Sequence, residues 1–183
     1  MGKIQVHEFT TMDGVIYEPR WSFEFGFDPK MGAAIAKAMG GCDAILLGRV
    51  TYEMFEPAWS ARTAQDDPGA PFMNDTTKYV ISSTLTKANW RNSEIVGPYD
   101  PGAIRRLKDR VDGGFYVSGS GTLVRALLGD NLVDELHLFV YPTTRAGGPR
   151  LFGPETGASK WALADSQTYD NGVLYLNYMT ARR

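Results

Sequence analysis

One cysteine, two histidines and a net charge of only −2 mark this chain of 183 residues, and each shortage closes off a class of protein. The lone thiol, Cys42, has no internal partner for a disulfide, so a reducing compartment is expected. His7 and His137 both fall in strand-like stretches, Cys42 is far off in sequence, and no metal-ligand spacing results. No metal site is predicted. A charge so near balance gives no electrostatic reason to expect nucleic acid or a membrane surface as a partner. Arg105, Arg106, Lys108 and Arg110 read as a solvated helix face. No apolar run approaches the ~20 residues that a membrane-spanning helix needs. The opening MGKIQVHEF carries Lys3, His7 and Glu8 and lacks the apolar stretch of a secretory signal. Repeats and low-complexity segments are missing too. The expectation is a soluble, cytoplasmic domain.

What is present fits one α/β domain spanning 1–183. A hydrophobic share of 43% is enough for a sizeable core in a chain of this length. Strands are predicted over Ile4–Phe9, Ala44–Leu47, Lys78–Ser82, Phe115–Val117 and Leu136–Tyr141. Continuous apolar runs such as AILL suggest strands covered on both faces. Between them lie amphipathic helices. Asp28-Pro29 reads as an N-cap with proline in the first turn. Met31, Ala34, Ile35, Ala38 and Met39 then recur at helical spacing until Gly40-Gly41. Asp100-Pro101 opens another helix, with Ile104, Leu107 and Val111 on one face. Trp161 to Thr180 reads as two strands around Asp170-Asn171-Gly172, a hairpin signal. Ala61 to Ala70 reads as a surface loop. The architecture is therefore a three-layer αβα domain, its central sheet mostly parallel with an antiparallel C-terminal hairpin.

Chemistry concentrates at three strand-to-helix junctions. In YVSGSGTLVRALL the strand runs into Gly119, Ser120, Gly121 and Thr122, and Leu123, Val124, Leu127 and Leu128 form a helix face. Free N–H groups at a helix start suit a phosphate, and glycines let it come close; tight packing of helix on strand is the plainer reading. In AILLGRVTYEMF, Gly48 and Arg49 follow the strand and Thr51 opens a helix. Arg49 would supply a charged fork and Thr51 a hydroxyl, or else a solvated arginine and an N-cap. In YVISSTLTK, Ser82, Ser83 and Thr84 follow a strand. Ligands of open α/β sheets sit outside the carboxyl ends of strands, so the three junctions together favour a phosphorylated ligand.

TTMDGVI, LLGRVTYE, YVISST, VSGSGTLVRALL, VDELHLFVYP and the closing LYLNY, in that order, run nearly end to end. With them the chain resembles the dihydrofolate-reductase-like superfamily. It is most similar there to the reductase domain of bacterial riboflavin biosynthesis, the C-terminal half of a bifunctional deaminase-reductase, and its stand-alone relatives. GRVTYE and GSGT are the specific parts. The resemblance implies NADPH as cofactor. Gly48, Arg49, Thr51, Ser82 and Ser83 would then hold the 2′-phosphate and neighbouring phosphates, and Gly119, Ser120, Gly121 and Thr122 the pyrophosphate. It also implies reduction of a small pterin-like, pyrimidine-like or carbonyl compound by hydride transfer, and a homodimer. The strands LHLFVYP and VLYLNYM offer apolar surface for such a pairing.

The reacting end admits two readings at each position. Thr11, Asp13 and Gly14 would edge the substrate site if the first loop lies as it does in the superfamily; otherwise Asp13-Gly14 is a turn. WSFEFGFD, with Trp21 and Phe23, would form a slot for a heterocycle or pack into the core. Asp28, Glu24 or Asp13 would be the catalytic acid, although Asp28 is fully explained as an N-cap. The loop is longer than in dihydrofolate reductase proper, and no acid falls at the matching distance before Gly48, which argues against folate. A flavin or deazaflavin in place of NADPH, or nucleotide binding without catalysis, are the competing functions.

Overall fold

The computed structural model describes residues 2–119 and 121–181. The predicted strands appear as β1 (Ile4–Thr11), β2 (Cys42–Gly48), β3 (Thr77–Ile81), β5 (Gly114–Ser118) and β6 (Glu135–Tyr141). The hairpin supplies β7 (Trp161–Thr168) and β8 (Leu174–Thr180). One strand was not foreseen, β4 (Ser93–Gly97). The helices are α1 (Pro29–Met39), α2 (Arg49–Trp59), α3 (Ala70–Asp75), α4 (Pro101–Arg110) and α5 (Gly121–Gly129). The segment WSFEFGFD, read from sequence as an aromatic loop, begins inside a 3-10 helix, Pro19–Phe25.

The eight strands of the described residues form one sheet in the order β4-β3-β2-β5-β1-β6-β8-β7. The pairs from β4 to β6 are parallel, and β8 enters antiparallel between β6 and β7. Helices cover both faces, because alternate residues of each strand point to opposite sides. Ile4, Val6, Phe115, Val117 and Leu136 pack with Ile104 and Leu107 of α4 and with Leu123, Val124 and Leu127 of α5. On the other face, Ile45, Leu47 and Val80 meet Tyr52 of α2 and Met73 of α3, while Phe139 and Tyr175 meet Met31 and Ala34 of α1. That is the expected three-layer arrangement. Among the described residues no helix is long and apolar enough to cross a membrane.

Local chemistry starts and stops these elements as the sequence implies. Asp100 Oδ1 and Oδ2 accept from the N–H groups of Gly102 and Ala103, capping α4. At the hairpin, Gly172 takes a φ of 82°, a conformation open to glycine at little cost, and Tyr169 N–H bonds to Val173 O at 3.0 Å. The buried Lys78 closes the other end of a helix. Its Nζ donates to the carbonyls of Met73, Asn74 and Thr76 at the C-terminus of α3 and lies 4.6 Å from the Trp90 ring.

Candidate functional site

The three junctions meet because β3, β2 and β5 are neighbours in the sheet and run parallel, so their carboxyl ends share one edge. At the end of β2 the helix cap is Gly48, in extended conformation, rather than Thr51 as the sequence suggested. Thr51 lies inside the first turn of α2 and is buried. Arg49 is exposed, with Nη1 2.7 Å from Glu53 Oε2 one turn along the helix. At the end of β3, Ser82 and Ser83 divide the work. Ser82 is buried and its Oγ accepts from the N–H groups of Thr84 and Leu85, which fixes the turn. Ser83 beside it is exposed.

After β5, Gly119 takes a φ of 66°, which glycine adopts without strain. A β-carbon built on it would stand 3.8 Å from Thr51 Oγ1, so this turn and the first turn of α2 touch. Ser120 lies outside the described residues. Gly121 opens α5, and a β-carbon there would come within 2.8 Å of Ile16 Cδ1. The two glycines of the turn therefore have different surroundings. Gly119 makes a turn whose backbone faces the neighbouring junction, and at Gly121 the packing reading has a contact of its own, with Ile16. Thr122, in the first turn of α5, is exposed.

The residues chosen for the reacting end lie on the other side of the central strand β1. Thr11 donates its hydroxyl to Asp13 Oδ1 at 2.5 Å, and Gly14, with φ 83°, makes the turn that follows. Asp13 also accepts from the N–H groups of Arg145 and Ala146. The Thr11 hydroxyl first, and these backbone bonds after it, hold the Asp13 carboxyl below its ordinary range. At neutral pH it has no proton to give; it fastens the first loop to the segment around Arg145. Trp21 is buried, its ring edge-on to Tyr141 at 5.3 Å, and belongs to the core. Phe23 points out and is 81% exposed. Glu24, also exposed, pairs with Arg145 at 3.2 Å.

Asp28 is an N-cap, as expected: its Oδ1 accepts from Lys30 N–H at 2.9 Å. The sequence did not show that Oδ2 accepts from Asp170 N–H at 3.2 Å, tying α1 to the hairpin tip. Asp28 lines a shallow cleft of about 440 Å³ with Phe25, Phe27 and Asn171. A cleft of about 480 Å³ opens at the opposite, amino-terminal edge of the sheet, around Lys3, Glu135 and His137. It contains none of the junctions, so size alone does not locate the site. Glu8 was read from sequence only as a charge in the opening segment, not as a candidate site residue. This acid is buried in β1, one residue past His7, which pairs with Ser118 of β5. The only signal was its place on the face of Ile4 and Val6, since β1 also carries Gln5, His7, Thr10 and Thr11.

The donor set at the junctions suits a phosphorylated dinucleotide: a guanidinium, exposed hydroxyls, and the free N–H groups that begin two helices. Comparison with known proteins bears on the same point. The family model for the RibD C-terminal domain matches residues 2–175. A comparison with curated proteins finds no match. Among solved structures, a putative riboflavin biosynthesis protein from Shewanella sp. PV-4 superposes with a TM-score of 0.74 at 19% identity, over 98% of this chain and 99% of that one. A Thermotoga maritima diaminohydroxyphosphoribosylaminopyrimidine deaminase/5-amino-6-(5-phosphoribosylamino)uracil reductase gives 0.68 at 15% identity, over 98% of this chain and 57% of that one. Dihydrofolate reductase from Enterococcus faecalis, complexed with NADP(H), gives 0.64 at 15% identity, over 99% and 98%. The fold is thus dihydrofolate-reductase-like, and the chain belongs to the RibD C-terminal domain family.

Proposed function

Taking that family as the premise, we propose that the protein is an NADPH-dependent reductase of a small pyrimidine-like or pterin-like heterocycle, or a related carbonyl compound. The observation that carries this reading is the convergence of three neighbouring strand ends on one sheet edge. Arg49, at the start of α2, and the exposed Ser83 form the fork and hydroxyl for the adenosine 2′-phosphate. Gly119 lets the chain turn without a side chain, and Thr122 and the first N–H groups of α5 face the pyrophosphate. Ser120 belongs to the same turn by sequence. Gly48 supplies the close backbone approach before α2, and Ser82 holds the turn that presents Ser83. When bound, the cofactor supplies a hydride. Support also comes from the NADP(H) held by the Enterococcus faecalis enzyme and from the reductase activity named for the Thermotoga maritima protein.

The substrate lies across β1 from the cofactor, between the Thr11–Gly14 turn and the start of α1. Of the three acids, Asp28 is the one that serves it. Each of its oxygens accepts one backbone N–H, and each has a further lone pair for a ring N–H of a heterocycle. Phe23 offers an exposed ring five residues before it. Asp13 and Glu24 hold the flanking loops through Arg145. The protein acts in the cytoplasm as a homodimer.

The test is a cofactor screen on purified protein by thermal stabilisation, followed by heterocyclic substrates with the winning cofactor. NADPH should stabilise more than NADH, and substrate should drive loss of NADPH absorbance. Stabilisation by a flavin or deazaflavin and not by NADPH would replace this reading with another redox cofactor. NADPH binding without turnover on any heterocycle would favour a nucleotide-binding protein that does not catalyse.

A further inference from the structure

Glu8 lies on β1 with 5% of its surface exposed, and its Oε1 has no hydrogen-bond partner among the described residues. Strand alternation puts it on the face of Ile4 and Val6, beneath α5. Along the strand it is level with the glycine-rich turn. His7 pairs with Ser118 of β5, and Gly119 N–H reaches back to His7 O at 3.3 Å, so Glu8 is the next residue beside that turn.

The surrounding groups do not neutralise it. Arg125 of α5 attracts it through space, but its Nε pairs with Glu155 at 2.9 Å and its Nη1 donates to Arg150 O at 3.4 Å. On β6 the paired residue is apolar, Leu138. Tyr116 of β5 and His7 of β1 are the nearby titratable groups in the sheet, and they are bonded to each other at 2.7 Å. A buried, unpaired carboxylate is costly, and one beneath a turn that receives phosphate would also repel the ligand. A protonated carboxyl avoids both penalties.

Resting on the cofactor reading above, we infer that Glu8 must be protonated for the turn after β5 to accept the pyrophosphate, so that NADPH binding is coupled to a proton held beneath α5. Burial, outweighing the attraction of Arg125, pushes this carboxyl up to about 8. Below that pH the proton is already in place and binding takes up none. Above it, binding must draw a proton from solvent, and affinity falls by up to about tenfold per pH unit. Lys78, brought down to about 8 by burial, titrates in the same window but caps α3 on the other face of the sheet.

The experiment is calorimetric titration of the protein with NADPH at about pH 7 and about pH 9, in buffers of different ionisation heat. The expected result is little proton uptake at the lower pH, close to one proton at the higher, and affinity reduced by about tenfold or more there. Glu8→Gln, and Glu8→Leu as a second variant, should take up none and bind almost equally at both pH values. The Lys78 contribution is common to all three proteins and cancels in the comparison. NADPH binding to the parent at about pH 9 without proton uptake overturns this inference alone, as does an unchanged pH dependence in a folded Glu8 variant. Failure of the parent to bind NADPH at about pH 7 overturns the cofactor reading, and this inference with it.

Discussion

A β-carbon on Gly121 would lie 2.8 Å from Ile16 Cδ1, whereas one on Gly119 would lie 3.8 Å from Thr51 Oγ1, in ordinary contact. The two glycines thus answer different demands. Gly121→Ala requires the flexible end of Ile16 to move and should cost stability by about 1 kcal/mol, with NADPH binding retained. Gly119→Ala forces a side chain into a positive φ and should cost about 1–2 kcal/mol. Gly119→Asp adds like charge where phosphate must approach and should abolish NADPH binding in protein that still folds. Unfolding curves beside cofactor titrations check all three. A folded Gly119→Asp protein with parental NADPH affinity would mean that the turn serves packing only.

Arg49 should discriminate between cofactors. A charge-assisted hydrogen bond contributes about 1.5–3 kcal/mol, so Arg49→Ala should weaken NADPH about tenfold or more. NADH, which lacks the 2′-phosphate, should be almost unaffected. The fold should hardly notice, since the pair that Arg49 forms with Glu53 is exposed on both sides. Fluorescence titration with both cofactors decides it, and equal losses would remove Arg49 from the 2′-phosphate.

Asp28 carries both a structural and a proposed binding role, and these can be measured apart. Asp28→Ala loses an N-cap and the tie to Asp170, and should lower stability by about 1–2 kcal/mol. Substrate KM should rise sharply while NADPH affinity stays near parental. A variant with reduced stability and unchanged KM would leave Asp28 as a cap alone.

The acid limb of stability should depend on Glu135. The His137 ring beside it, and after that the Lys3 ammonium 2.9 Å away, bring its carboxyl down to about 2. A carboxylate whose folded value is depressed stabilises the fold above its ordinary value, 4.5, and loses that contribution as pH falls towards 2. Glu135→Gln should therefore flatten the decline over that interval. Chemical denaturation at a series of pH values tests it; parallel curves for parent and variant would assign the decline to other carboxylates.

Oligomeric state is a separate expectation. β7 leaves one edge unpaired at the end of the sheet, and Leu163, Leu174 and Met179 on the hairpin are exposed. Sedimentation at micromolar concentration should show a dimer, and a Leu163→Lys variant should shift it towards monomer. Monomer alone in the parent would end the proposal.

How legible this molecule is in sequence depends on how local the cause is. α1 was readable because an N-cap, a proline and five spaced apolar residues all lie within Asp28–Met39. β4 was not, because Ser93–Gly97 is a half-exposed edge strand with a glutamate, and its pairing with β3 leaves no apolar pattern. α3 is only six residues long, too short for periodicity to show. The junctions were legible for the same reason as α1. The acids were not, because their hydrogen-bonding is decided across the chain, at Arg145 and Ala146 for Asp13 and at Asp170 for Asp28. Nor does any local pattern reveal that WSFEF sends Trp21 and Phe25 against Tyr141 and leaves Phe23 in solvent.

The place of β8 between β6 and β7 sets an order of opening. β7 reaches the sheet only through β8, so whatever parts β8 from β6 carries β7 away with it, whereas β7 can fray from β8 alone. Amide exchange should accordingly slow from β7 inward to β8 and again to β6. Because Asp170 at the tip is bonded to Asp28, each excursion of the hairpin also loosens the first turn of α1. The C-terminal ribbon thus acts as a latch, and each time it lifts the start of α1 keeps its cap to Lys30 but loses the tie to Asp170.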